Sequence, residues 1–152
     1  MPLDVTVERV IPLPPEAVAA YAMDWRHDTE WTRGIRSAAL TREADTGGFG
    51  VGAEVTRTAR FLGRSFDYVL RVAGYAPPRM LDLVSVAGPG PLQMTYTFEP
   101  TRTGTFARIR VRGGSAPHHL LAAPLISRQV RTALTADLHA LEARLTAPGA
   151  PQ

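Results

Sequence analysis

Cysteine is missing from all 152 residues. Its absence removes disulfides, thiolate nucleophiles and zinc–thiolate centres together and leaves packing and hydrogen bonds to hold the fold. A chain of this kind suits a reducing compartment, and a cytoplasmic location is expected. Lysine is missing too: all 17 basic residues are arginine, a bias that accompanies abundant Ala, Gly and Pro and carries no function by itself. No uninterrupted apolar run reaches the length of a membrane span, and the opening MPLDVTVERVIP alternates polar and apolar residues where a signal sequence would be continuously apolar. Stable membrane insertion and export are therefore not expected. The catalytic and nucleotide signatures are absent as well, with no P-loop, HExxH, GxSxG or heptad seam. Gly48-Phe49-Gly50-Val51-Gly52 looks superficially like a dinucleotide loop, but a strand follows it instead of a helix, so the phosphate-cradling helix terminus is lacking.

What is present is a chain that is 45% hydrophobic and 20% charged, enough to build one globular core. The net charge of +3 raises the question of nucleic acid. The arginines, however, are scattered from Arg9 to Arg144 and interleaved with acids. The tightest cluster, Arg108, Arg110 and Arg112, has period two and so occupies one face of a strand, the pattern of a solvated outer sheet face; no nucleic-acid partner is expected.

The order of elements is the most informative positive feature. Leu3–Ile11 alternates as a strand and is stopped by Pro12, Pro14 and Pro15. Pro15 suits a first helical turn and Glu16 complements its dipole, so a helix is expected over Pro15–Met23, with Val18 and Tyr21 or Ala22 turned inward. Asp24 then caps or turns into a second short helix, Trp25–Arg33, closed by Gly34. From Ile35 to about Arg112 the chain reads as a meander, bringing the strand total to about seven, with turns at Thr46–Gly50, Gly63–Arg64, Ala76–Arg79, Gly88–Pro91 and Thr101–Gly104. Beyond Gly113–Pro117 the period lengthens: Ile126, Val130, Leu134, Leu138, Leu141 and Leu145 form one apolar stripe, with Arg128, Arg131, Asp137, Glu142 and Arg144 away from or beside it. This predicts a helix over Leu125–Leu145, about 30 Å long, with Pro124 marking its start or a kink and Val130, Leu134, Leu138 and Leu141 buried. The fold class is α+β, one antiparallel sheet with two short helices after the first strand and a long C-terminal helix laid across it. Such a sheet can enclose a cavity.

Period two also separates the sheet faces. Val55, Arg57, Ala59 and Phe61 share the inward face of the third strand; Phe66, Tyr68, Leu70 and Val72 that of the fourth; Leu81, Leu83 and Ser85, then Met94, Tyr96 and Phe98, then Ala107, Ile109 and Val111 those of the remaining strands. Arg57 is the one charge on this inward face. A buried arginine keeps its proton and needs acceptors. Two roles are open to it: a partner within the fold such as Asp28 or Glu30, with a bulge turning it outward as a variant of that reading, or an anchor for a ligand carboxylate, enolate or carbonyl. Tyr68, Tyr96 and Ser85 are the other inward polar groups, few and convergent, as small-molecule sites usually are. Against them the apolar body of a ligand would meet Val55, Phe66, Leu70, Leu83, Met94, Phe98, Ile109 and, from the long helix, Val130 and Leu134. Trp25 and Trp31 are placed at the cavity mouth.

Two further clusters carry less. Asp24, His27 and Asp28, at helical spacing, can share a face for a metal or acid–base chemistry, but without a second histidine a capped, solvated short helix accounts for them and no metal is expected. His118-His119 precedes the long helix, where an imidazole can serve as a general base, although neighbouring histidines rarely face the same way.

Leu13-Pro14-Pro15-Glu16-Ala17-Val18, Asp24-Trp25 and Trp31, the turn Val72-Ala73-Gly74-Tyr75-Ala76-Pro77-Pro78-Arg79, the strand end Tyr96-Thr97-Phe98-Glu99-Pro100 and Gly104-Thr105 together resemble the START-like (SRPBCC) superfamily and its polyketide cyclase/dehydratase branch. The resemblance spans about residues 4–145. It implies a helix-grip domain over residues 1–146 and a hydrophobic cavity between sheet and long helix; residues 147–152, rich in Pro and Gly, read as a flexible tail. The resemblance also implies a hydrophobic small-molecule ligand, polyketide-like, aromatic or cyclic, and no cofactor, in a monomer or homodimer. Cyclases of this kind use inward Arg, Tyr or Ser groups, and Arg57, with Tyr68 and Tyr96, looks similar to such a catalytic set. The same superfamily contains non-catalytic lipid and isoprenoid carriers, which is the alternative function.

Overall fold

The computed structural model describes residues 3–61, 63–113 and 123–149. Strand β1 (Leu3–Ile11) leads through the proline-rich turn into helix α1 (Pro15–Ala22), whose N-cap is Pro14 and whose first turn carries Glu16. A single 3-10 turn (Trp25–His27) and a one-turn helix α2 (Asp28–Trp31) follow in place of one helix to Arg33. Asp24 explains the break. Its side chain accepts from the Arg26 backbone N–H, which starts a tight turn, and only after His27 does the chain settle into α geometry.

Strands β2 (Ile35–Arg42), β3 (Glu54–Phe61), β4 (Arg64–Ala76), β5 (Met80–Ala87), β6 (Leu92–Pro100) and β7 (Thr105–Gly113) form the meander, and helix α3 (Ala123–Thr146) closes the described chain. The seven strands make one antiparallel sheet in the order β1-β7-β6-β5-β4-β3-β2. β1 thus pairs with the last strand, Val5 opposite Val111 and Val7 opposite Ile109, which brings the first and last thirds of the chain together before α3 crosses them. Helix α3 begins at Ala123, with Pro124 in its first turn, where a missing N–H costs nothing.

The alternation read from the strands is the alternation found. Val55, Leu70, Val72, Leu81, Leu83, Met94, Tyr96, Phe98, Ala107, Ile109 and Val111 are all buried on the inner face, and all of them but Val55 pack into one core with Val18, Tyr21 and Ala22 of α1 and with Leu134, Leu138, Leu141 and Leu145 of α3. Val130 differs from the expectation, being only partly buried: it packs against the core on one side and borders a cavity on the other. The outer face carries the charges. Arg108 pairs with Glu8 at 2.7 Å and Arg110 with Asp4 at 2.8 Å across the β1–β7 boundary, and Arg112 donates to Gln93. Among the described residues no helix is long and apolar enough to cross a membrane.

Candidate functional site

Arg57 sits in the middle of β3, opposite Tyr68 on β4, in a β3–β4 register unbroken from Glu54–Arg71 to Phe61–Arg64. No bulge therefore turns it out, and it is 2% exposed. Its Nε donates to Asp28 Oδ2 at 3.0 Å, its Nη2 lies 2.9 Å from the same oxygen, and Nη2 also reaches the Tyr96 hydroxyl at 3.4 Å. Asp28 is thus the internal partner; Glu30 instead accepts from the Tyr21 hydroxyl at 2.5 Å. The break at Asp24 makes this possible, because α2 starts at Asp28 and aims that carboxylate at the sheet.

The electrostatics follow from burial. Desolvation alone would drive Arg57 down, but the Asp28 carboxylate, then Tyr96 and Tyr68, outweigh it and hold the guanidinium well above its ordinary value. Burial pushes Asp28 up, with Arg57 pulling against the push. The pair is ionised, since arginine keeps its proton and a neutral Asp28 would leave a buried cation without counter-charge. Burial likewise raises the Tyr96 phenol to about 12, so it is a neutral hydroxyl at physiological pH.

One nitrogen of Arg57 is poorly satisfied. Nη1 has Met94 Sδ at 3.6 Å, a weak thioether acceptor. Arg57 and Met94 both line a cavity of about 420 Å³ between the inner sheet face and the first half of α3, a volume typical of small-molecule sites. Its apolar wall includes Ile35, Ala59, Phe61, Phe66, Leu92, Val111, Ile126, Val130 and Leu134, and its polar groups include Arg57, Tyr68, Thr32 and Asp137.

Of the residues expected from sequence, Arg57, Tyr68, Phe66, Met94, Val130, Leu134 and Ser85 meet at this cavity. Ser85 is committed to a turn, its Oγ accepting from the Leu92 N–H at 2.8 Å and donating to the Gly90 carbonyl at 3.2 Å. The others lie elsewhere. Tyr96, Trp25, Val55, Leu70 and Leu83 line a void of about 10 Å³ on the opposite side of Arg57, no larger than one water needs. Trp25 also borders an outer groove of about 640 Å³ with Met23, Phe49 and Tyr75, away from the α3 cavity. Trp31 is a core residue, 1% exposed and edge-on to Tyr96 at 5.9 Å, and Phe98 and Ile109 are core as well. Arg57 and its pair with Asp28 therefore divide the interior into a packed end and an open end. Asp24 and His27 do not join Asp28 in a cluster: Asp24 pairs with Arg26, and His27 stacks on Tyr21 at 4.2 Å. Among the described residues no group of three or more His, Cys, Asp or Glu is placed to hold a metal. His118 and His119 lie outside the described residues.

Among the cavity residues that sequence reasoning missed are two buried polar ones, Thr32 and Asp137. Asp137 is 4% exposed on α3; its Oδ1 accepts from the Arg33 backbone N–H at 3.1 Å, and burial raises its carboxyl to about 6 against the pull of that N–H and of the Arg33 and Arg57 charges. A signal for it existed. Leu134, Asp137, Leu138 and Leu141 follow the i, i+3, i+4, i+7 spacing of a single helix face, so the acid belongs to the buried stripe. Thr32, directly after α2, had no such signal.

Residues 2–146 match the family model described as polyketide cyclase / dehydrase and lipid transport, and the chain belongs to that family. Its fold is that of the START-like, helix-grip proteins. The protein TTHA0849 from Thermus thermophilus superposes with a TM-score of 0.81 at 20% identity, over 95% of this chain and 97% of that one. The Zhui aromatase/cyclase from Streptomyces sp. R1128 does so with 0.79 at 13% identity, over 99% and 100%. A START superfamily protein from Mycobacterium smegmatis gives 0.76 at 15% identity, over 94% and 95%. No curated protein matches the chain.

Proposed function

We propose that this protein binds a hydrophobic, oxygen-bearing small molecule, polyketide-like or aromatic, in the α3 cavity, with an oxygen of the ligand at Arg57. The observation that carries this reading is the under-satisfied Arg57 Nη1 beside a largely apolar volume of about 420 Å³. A carbonyl or carboxylate oxygen there would replace a thioether as acceptor and gain a charge-assisted hydrogen bond. The family description and the aromatase/cyclase neighbour support a finer reading, in which the same guanidinium stabilises the enolate formed when a folded polyketide chain cyclises or dehydrates. On that reading Arg57 is the catalytic group, Tyr68 sits beside it across the β3–β4 register, and Tyr96 acts through Arg57 from the packed side.

The test compares 2-naphthoate with naphthalene as ligands. Arg57→Met is expected to weaken 2-naphthoate by about 1.5–3 kcal/mol and to leave naphthalene nearly unchanged. The double variant Arg57→Met, Asp28→Leu removes both buried charges together, so a loss of binding can be separated from a loss of fold. Equal effects on the two ligands would make Arg57 a structural residue, and the lipid or isoprenoid carrier reading would then stand in place of the cyclase.

A further inference from the structure

The open end of the cavity holds a second polar station, built from the residue that follows α2 and from α3 rather than from the sheet. The Thr32 hydroxyl is buried, with the residue 8% exposed, and among the described residues it has no hydrogen-bond partner, although Thr32 is part of the cavity wall. Trp31 Nε1 is the other such atom, but Trp31 does not border the cavity. A buried hydroxyl without a partner keeps an uncompensated desolvation cost, which a ligand group can relieve. Asp137 borders the same cavity: its Oδ1 accepts from the N–H of Arg33, the residue after Thr32, and no described residue donates to its Oδ2. A hydroxyl without a partner and a carboxylate oxygen to which no described residue donates therefore border the same, largely apolar space.

We infer that Thr32 and Asp137 form a hydroxyl-binding subsite, in which a phenol or alcohol hydroxyl of the ligand donates to Asp137 Oδ2 and accepts from the Thr32 hydroxyl. A hydroxyl fits because it both donates and accepts through one atom. A carbonyl would satisfy Thr32 and repel the carboxylate; an amine would satisfy Asp137 but compete with the Arg57 charge, which already acts on that carboxyl. The ligand class narrows accordingly, to hydroxylated hydrophobic molecules whose second oxygen meets Arg57, such as hydroxyaromatic acids or ketones. This inference rests on the cavity reading above.

The experiment measures 1-naphthol against naphthalene by fluorescence titration. The wild-type protein is expected to favour 1-naphthol roughly tenfold, the equivalent of one hydrogen bond to a charged acceptor. Thr32→Val and Asp137→Asn, both close in shape to the native side chains, each bring that ratio toward one, while Thr32→Ser, which keeps the hydroxyl, retains it. Arg57→Met lowers 2-naphthoate affinity without moving the ratio. A wild-type ratio near one, or a ratio unchanged by both Thr32→Val and Asp137→Asn, overturns the subsite while naphthalene binding leaves the cavity reading intact. Failure of naphthalene itself to bind overturns both.

Discussion

The partners of the buried ion pair are chemically unequal, and stability measurements can show it. Asp28 can take up a proton when its partner is removed, whereas Arg57 cannot release one. Asp28→Asn therefore strands a cation that is 2% exposed and is expected to cost about 3–5 kcal/mol, while Arg57→Met costs less because Asp28 becomes neutral. Urea denaturation at pH 7 checks the order, and equal losses would count against it. A second single-residue dependence lies at the β6–β7 turn. A Cβ on Gly104 would run into the Ile11 carbonyl oxygen, and the next residue, Thr105, donates its hydroxyl to the Leu13 carbonyl at 2.7 Å. The turn is thus clamped on the end of β1, and Gly104→Ala is expected to cost about 3 kcal/mol, seen as a clear fall in Tm, since backbone has to move to admit the methyl. The Gly104-Thr105 pair stands out in sequence; its reason, close approach of two backbones, appears only in three dimensions.

At the scale of elements, α3 changes role along its length. Leu138 and Leu141 are 1% and 0% exposed against the sheet, while Val130, two turns earlier, faces the cavity. Leu138→Ala is expected to cost about 2–5 kcal/mol, and Val130→Ala less than about 1 kcal/mol, because little new void is created beside one that already exists. Chemical denaturation of the two variants checks this, and similar losses would mean that the cavity is filled in solution. The apolar stripe made α3 legible in sequence, and the alternation of β3 to β7 made the inner sheet face legible, because both periods are fixed by backbone geometry. Which inward residues border open space was not legible. Phe66 and Phe98 read alike on their strands, yet one lines the cavity and the other is core, a difference set by where α3 crosses the sheet. The charge of Asp137 argues for a place off the apolar stripe, but its spacing puts it on the buried face, and spacing prevails. The size of Trp25 and Trp31 suggests the cavity mouth; the tight turn at Asp24 sends one to the outer groove and the other into the core.

At the scale of the whole molecule, the distribution of charge bears on two properties. The outer sheet face pairs Arg108 and Arg110 with Glu8 and Asp4, so its arginines are largely compensated where they stand. Phosphate binding needs a focused patch from which counterions can be released, and no retardation of duplex DNA is expected at physiological salt in a gel-shift titration. Tight binding that weakens steeply with salt would contradict this.

Inside, the same balance tilts the other way, because Asp137 is ionised in a buried place. Its carboxyl is raised from 3.8 to about 6 on folding, so the native state binds a proton more tightly than the unfolded chain. The stability this group contributes is fully present below about pH 4 and is lost as pH rises through about 6. The loss amounts to at most about 3 kcal/mol for a shift of that size. The Arg33 and Arg57 charges and the Arg33 N–H already favour the ionised form, and burial still prevails over them. Other groups titrate in this range, so the informative quantity is the difference between two proteins. Asp137→Asn keeps an oxygen for the Arg33 N–H but has no proton to lose. Its stability is therefore expected to rise relative to wild type as pH goes from about 4.5 to about 7.5, which denaturant midpoints across that range would record. Parallel curves for the two proteins would mean that Asp137 reaches solvent in both states.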